Sequence, residues 1–146
     1  MNFVTMYTDG ACKGNPGIGG WGVVLMYKDI EKTLCGCQDN TTNNRMELLA
    51  VIEGLKSLKK PCHIKIYTDS KYVQLGMLNW LDNWKKNNWR NSQKKEVKNI
   101  DLWKILDIEA QKHQIEWFWV KGHAGDIYNE KADQLANLAI IQYLQL

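Results

Sequence analysis

The spacing of hydrophobic and polar positions changes period partway along the chain. From Phe3 to Thr8 the residues are β-prone, and the run meets Asp9-Gly10, a turn signal that opens a glycine-rich loop from Gly14 to Gly20. Trp21 to Tyr27 resumes an extended pattern, Lys28-Asp29 suits a tight turn, and a third strand is expected near Thr33 to Gln38, completing an antiparallel meander. From Asn44 to Leu58 the period becomes helical: Leu48, Val51, Ile52, Leu55 and Leu58 fall on one stripe, and Lys59-Lys60-Pro61 closes it.

Alternation returns at Ile64 to Tyr67 and gives way to a helical pattern from Ser70 to Leu81. Two more helices are expected over Ile100 to Lys112 and from about Asn129 to Tyr143, with a strand at Ile115 to Val120 between them. Strands first and alternating strand–helix units afterwards predict an α/β fold. Its sheet has five strands and is mixed, three antiparallel then two parallel, with helices on both faces. No linker, low-complexity tract or repeat interrupts the 146 residues, so a single domain over 1–146 is expected.

Composition narrows this only slightly. With 45% hydrophobic and 24% charged residues, the chain reads as a soluble globular domain. The N-terminus lacks signal-peptide features and no apolar run approaches 18 residues, so a cytoplasmic protein with no membrane partner is expected. Cys12, Cys35, Cys37 and Cys62 lack paired metal-ligand spacing and read as reduced thiols, with Cys35 and Cys37 sharing one strand face. A net charge of +3 is too mild to identify a polyanionic partner, so the distribution of charge matters more than its sum.

The tripeptide Tyr-Thr-Asp occurs twice, as Tyr7-Thr8-Asp9 and Tyr67-Thr68-Asp69, each time closing an expected strand. Parallel neighbouring strands would bring both aspartates to the carboxyl edge of the sheet, where open α/β folds bind ligands. Taken singly, Asp9 reads as a turn residue before Gly10 and Asp69 as a helix N-cap. Glu47 similarly suits a capping box with Asn44, and Asp133 a solvated helix charge. His123, between glycines in a loop leaving a strand, suits proton transfer near neutrality.

Joint order and spacing carry a further signal. Tyr7-Thr8-Asp9-Gly10-Ala11, Gly14-Asn15-Pro16-Gly17, Thr41 to Leu48, Tyr67-Thr68-Asp69-Ser70, Trp80 to Trp89, and Trp119 to Gly125 with Asn129-Glu130 and Asp133 together resemble the type 1 ribonuclease H family, bacterial members above all, over essentially the whole chain. The resemblance implies the ribonuclease H-like fold and an endonuclease that hydrolyses the RNA strand of RNA–DNA hybrids, leaving 5′-phosphate and 3′-hydroxyl ends.

By the same resemblance, Asp9, Glu47, Asp69 and Asp133 stand at the family's metal-binding carboxylates and His123 at its loop histidine, assisting either proton transfer or product release. Clustered carboxylates repel one another unless cations occupy the site, and oxygen ligands favour Mg²⁺, with Mn²⁺ able to substitute. Two ions per site are implied, clamping one phosphodiester.

The positive charge gathers at Lys85, Lys86, Arg90, Lys94, Lys95 and Lys98, with Trp84 and Trp89 among them and Trp80 just before, where Glu96 is the only acid. Charge runs are usually solvated surface. The resemblance instead places here the family's basic protrusion, which contacts the DNA strand through phosphates and sugars. It also places Asn15, Asn43, Asn44, Gln74 and the main chain near Cys12 at the 2′-hydroxyl contacts, and Thr42 with Asn15 at a phosphate pocket.

Lys71 departs from the family, standing where many relatives have an amide, and Asp126 adds an acid after the histidine loop. A monomer is expected. Two rivals stay open: a non-catalytic hybrid- or single-strand-binding module, against which the four acids argue, and an acidic-cluster nuclease acting on DNA.

Overall fold

The computed structural model describes residues 3–121 and 126–145. Five strands, β1 (Phe3–Gly14), β2 (Gly17–Tyr27), β3 (Ile30–Thr41), β4 (His63–Thr68) and β5 (Gln114–Trp119), form one sheet in the order β3-β2-β1-β4-β5. The first three pair antiparallel, and β4 and β5 continue the sheet parallel to β1. The expected mixed α/β sheet is therefore the observed one.

Two expectations at its start are corrected. Asp9-Gly10 is no turn: β1 runs on to Gly14, pairing Asp9 with Gly22 and Gly10 with Trp21, and the hairpin turns at Asn15-Pro16. The glycine-rich stretch expected as a loop is mostly the start of β2. Gly14, at φ 91°, serves the turn, whereas Gly20 and, just beyond the stretch, Gly22 serve close approach: a Cβ on Gly20 would lie 2.1 Å from the Ala136 carbonyl oxygen, and one on Gly22 would lie 2.3 Å from that of Ala132. Backbone alone fits there.

Helices cover both faces. On one side, α1 (Asn43–Lys56) buries Leu48, Val51, Ile52 and Leu55 against Met6, Val23 and Ile66, and α4 (Ile100–Gln111) packs on α1 with Leu102, Trp103 and Leu106 in the same core. Each such side chain taken fully from water is worth about 1.5–3 kcal/mol. On the other side, α5 (Ile127–Leu144) lies across β2 and β1, its Ala132 against Tyr7 and Val24.

The helix expected from Ser70 to Leu81 extends further and is divided: α2 (Lys71–Leu75), a π-helical turn at Gly76–Trp80, and α3 (Leu81–Lys86). The Trp103 ring fills the place a side chain at position 76 would take, its Cη2 only 1.9 Å from that Cβ. From α3 the chain makes an irregular excursion before α4, with Asn88, Trp89, Lys94 and Asn99 all at positive φ. The four cysteines are free thiols. Among the described residues, no helix is long and apolar enough to cross a membrane.

Candidate active site

The repeated tripeptide lies in register. Parallel pairing of β1 and β4 matches Tyr7 with Tyr67 and Thr8 with Thr68, then stops, leaving Asp9 and Asp69 as the next residue on each chain. Rings of Tyr7, Tyr67 and Phe118 stack across β1, β4 and β5 at centroid distances of 4.7 and 4.8 Å, holding the strand ends in step.

Neither capping alternative describes the structure. Ser70 caps α2, its Oγ accepting from the Val73 N–H at 3.2 Å, so Asp69 precedes the cap. Thr42 caps α1, its Oγ1 accepting from the Arg45 N–H at 3.3 Å, so Glu47 has no capping-box partner and turns into the interior. Its neighbour across the gap is Gly10, where a Cβ would lie 2.6 Å from the Glu47 nitrogen and 2.9 Å from Glu47 Oε1. Glycine at position 10 thus opens the space through which α1 delivers a carboxylate to the strand.

The result is a cluster: one carboxylate oxygen from each of Asp9, Glu47 and Asp69 lies within 4.8 Å of the others. Asp9 is 4% exposed and Glu47 6%. Asp133, on α5, lines the same cleft of about 420 Å³, at the rim rather than within the triad. Burial first, and then the Asp69 charge, push the Asp9 carboxyl up to about 8, although the Gly10 N–H donates to its Oδ1 at 2.9 Å. Burial and the charges of Asp9 and Asp69 raise Glu47 well above the ordinary carboxyl range. Such acids resist losing their protons together unless a cation joins them.

The donor set fits a hard divalent cation. Glu47 Oε1 is buried without a hydrogen-bond partner, an oxygen left bare beside two more carboxylates. All the available donors there are oxygens, which suit Mg²⁺ or Mn²⁺ better than soft metals.

The family model for RNase H matches residues 1–141. The chain belongs to the ribonuclease H family. It is 58% identical over 143 residues to the ribonuclease H of Francisella tularensis subsp. novicida strain U112, covering 98% of this chain and 94% of that protein. To the ribonuclease H of Francisella philomiragia subsp. philomiragia it is 59% identical over 141 residues, covering 97% and 93%. Among solved structures, LC9-RNase H1, a type 1 RNase H with the type 2 active-site motif, superposes with a TM-score of 0.89 at 31% identity, covering 97% of this chain and 73% of that one. LC11-RNase H1, solved in complex with an RNA/DNA hybrid, shares the fold at 22% identity and a TM-score of 0.76, covering 97% and 99%.

In this ribonuclease H, Asn43, Asn44 and Lys71 line the acidic cleft. Lys71 is the one cation among the described residues that line it, and its ammonium lies over the Trp119 ring, 5.3 Å from the centroid. The Trp119 indole N–H in turn donates to the Asp69 carbonyl oxygen at 3.3 Å. Asn15 Oδ1 accepts from the Asn43 N–H at 3.2 Å, joining the first hairpin to the start of α1. The Cys12 thiol donates to the Thr41 carbonyl at 3.4 Å, and Gln74 is half-buried on α2.

Trp80, Trp84, Lys86 and Arg90 line a separate open groove of about 860 Å³. Lys85 leans away to pair with Asp107 at 3.3 Å. Trp84 belongs partly to the core, its ring against Trp103 at 5.2 Å and Trp80 at 5.7 Å, and Trp89 also packs on the core. His123 lies outside the described residues. Sequence reasoning missed Tyr72, which lines the acidic cleft beside Lys71. Its only advance signal was adjacency to the Asp69-Ser70 turn.

Proposed function

We propose that this ribonuclease H hydrolyses the RNA strand of RNA–DNA hybrids with two divalent cations, leaving 5′-phosphate and 3′-hydroxyl ends. The observation that carries the reading is the convergence of Asp9, Glu47 and Asp69 oxygens within 4.8 Å, with Asp133 at the rim of the same cleft. These four side chains would hold Mg²⁺, or Mn²⁺ in its place. Such ions, when bound, activate the attacking water and stabilise the leaving 3′-oxygen.

The chain's own residues do the rest. Asp9 and Glu47, protonated more readily than ordinary carboxyls, release protons as cations enter, which makes occupancy depend on pH. His123 serves proton transfer or release of the product phosphate. Asn15, Asn43, Asn44, Gln74 and the main chain near Cys12 read 2′-hydroxyls in the shallow groove, and Thr42 with Asn15 holds a DNA phosphate. Lys71 supplies a positive charge to a nearby phosphate. Trp80, Trp84, Lys85, Lys86, Trp89 and Arg90 take the DNA strand through phosphates and sugars, without regard to sequence. The protein works as a cytoplasmic monomer.

The test is an end-labelled hybrid, duplex DNA and duplex RNA, each incubated with Mg²⁺ or with chelator. Cleavage of the hybrid's RNA strand alone, abolished by chelator, is expected. Cut duplex DNA would favour an acidic-cluster DNA nuclease, and binding without cleavage would favour a non-catalytic module.

A further inference from the structure

Asp9 is carried by β1 and Glu47 by α1, but Asp69 belongs to neither strand nor helix and stands with Ser70 in the step between β4 and α2. A carboxylate on such a step moves with its main chain, so whatever fixes that main chain also fixes the acid. On one side of Asp69 the Thr68 carbonyl oxygen accepts from the Val120 N–H at 2.9 Å, and on the other the Ser70 N–H donates to Thr68 Oγ1 at 3.0 Å. The Asp69 carbonyl oxygen itself accepts from a side chain, the Trp119 indole N–H at 3.3 Å.

Trp119 is the last residue of β5 and pairs with Thr68. Strand alternation puts its side chain opposite the face on which Tyr67 and Phe118 stack. There its ring receives Lys71, whose ammonium lies 5.3 Å from the centroid. The negative face of an indole attracts a cation, so a long exposed side chain that could range through water is kept beside the cleft. At 43% exposed, the ring adds little to the core. Its distinguishing contacts are the two at the cleft.

Groups that hydrogen-bond a metal ligand orient it, and losing one typically weakens metal binding about 10- to 100-fold. We infer that Trp119 is a positioning residue with two separable jobs: its N–H sets the main chain of Asp69 for cation binding, and its ring sets Lys71 for contact with the hybrid. The inference rests on the reading above, the first job on cation binding and the second on hybrid binding.

Trp119→Phe keeps a ring under Lys71 and loses the N–H. In calorimetry of the hybrid-free protein at pH 8, its Mn²⁺ affinity should fall about tenfold. The Mg²⁺ concentration for half-maximal cleavage should rise by a similar factor, with the hybrid KM at saturating Mg²⁺ within about twofold of wild type. Lys71→Met should do the reverse, raising KM severalfold and lowering the salt slope by about 0.9 without weakening Mn²⁺. Trp119→Leu, lacking both ring and N–H, should show both defects. In a Lys71→Met background its effect on KM should vanish while its Mn²⁺ defect persists.

Trp119→His, whose imidazole can offer an N–H in place of the indole's, should recover part of the Mn²⁺ affinity lost in Trp119→Leu at pH 8, where the ring is neutral. It also serves if the phenylalanine variant fails to fold. A lower melting temperature in Trp119→Phe with Mn²⁺ affinity unchanged would overturn the first job, and a KM penalty of Trp119→Leu that survives Lys71→Met would overturn the second. A wild type that binds Mn²⁺ yet leaves the hybrid uncut would defeat the functional reading alone, since calorimetry still decides whether Trp119 sets Asp69. A wild type that binds no Mn²⁺ would overturn both.

Discussion

The acidic cleft and the basic groove hold opposite charge and are built in opposite ways. The cleft draws single residues from β1, α1, the position just past β4, and α5, each on or directly beside regular structure, and buries two of them almost completely. The groove draws on one contiguous stretch, mostly exposed, with left-handed residues in its backbone. Charges that share water need no help to coexist, whereas carboxylates packed together out of water do. The cleft thus holds an electrostatic conflict that either protons or a bound cation must relieve, while the groove offers a solvated field with shallow energetic demands.

The largest effect expected from breaking the cleft is kinetic. Asp69→Asn should lower turnover by roughly 10³-fold or more while hybrid affinity stays near wild type, as read from single-turnover cleavage beside binding titrations. Near-normal turnover would return Asp69 to a structural part.

Second comes Gly10→Ala. A methyl 2.6 Å from the Glu47 backbone nitrogen must displace α1 from β1. A loss of roughly 1–3 kcal/mol is expected in denaturant unfolding, along with much reduced turnover. The same alanine placed at an exposed site of α1 should leave both unchanged.

Third, the conflict itself can be measured without metal. Asp9 has its carboxyl raised in the folded state to about 8, so it favours folding fully below the unfolded carboxyl value and loses that contribution as pH rises toward 8. In chelator, Asp9→Asn should therefore match the wild type near pH 4 and exceed it in stability by roughly 2 kcal/mol near pH 8. Thermal melts across that range provide the check, and added Mg²⁺ should close the gap by stabilising only the wild type. A constant difference at every pH would mean that the carboxylates do not oppose one another.

The smallest effects belong to the groove. Lys86→Ala should weaken hybrid binding severalfold and reduce the salt slope by about 0.9, one phosphate contact's worth. Lys85→Ala should do less, since Asp107 already engages that ammonium. Equal slopes for both variants would show that the Asp107 pair opens when the hybrid arrives.

The same contrast governs how much of the molecule could be read in advance. The mixed five-stranded sheet, the long helices and the two Tyr-Thr-Asp strand ends were legible, because period and crossover handedness constrain them. The span of β1 was not: Asp9-Gly10 and the following glycines carry the local marks of a turn, and only contact with α1 and α5 reveals that they sit within strands. Asp69 and Glu47 read equally well as caps until Ser70 and Thr42 were found in those places. The basic groove was visible as charge along the chain, but the division of labour within it was not. That Trp84 supports Trp103, or that Lys85 faces Asp107, depends on α4, whose relation to the stretch leaves no local trace.

The seam between β2 and α5 has a consequence for variation. At Gly20 and Gly22 the strand meets the carbonyls of Ala136 and Ala132 with nothing in between, and the same helix carries Asp133. A library randomised at those two codons should return glycine at both, even from a screen that selects for soluble folded protein and never asks for cleavage.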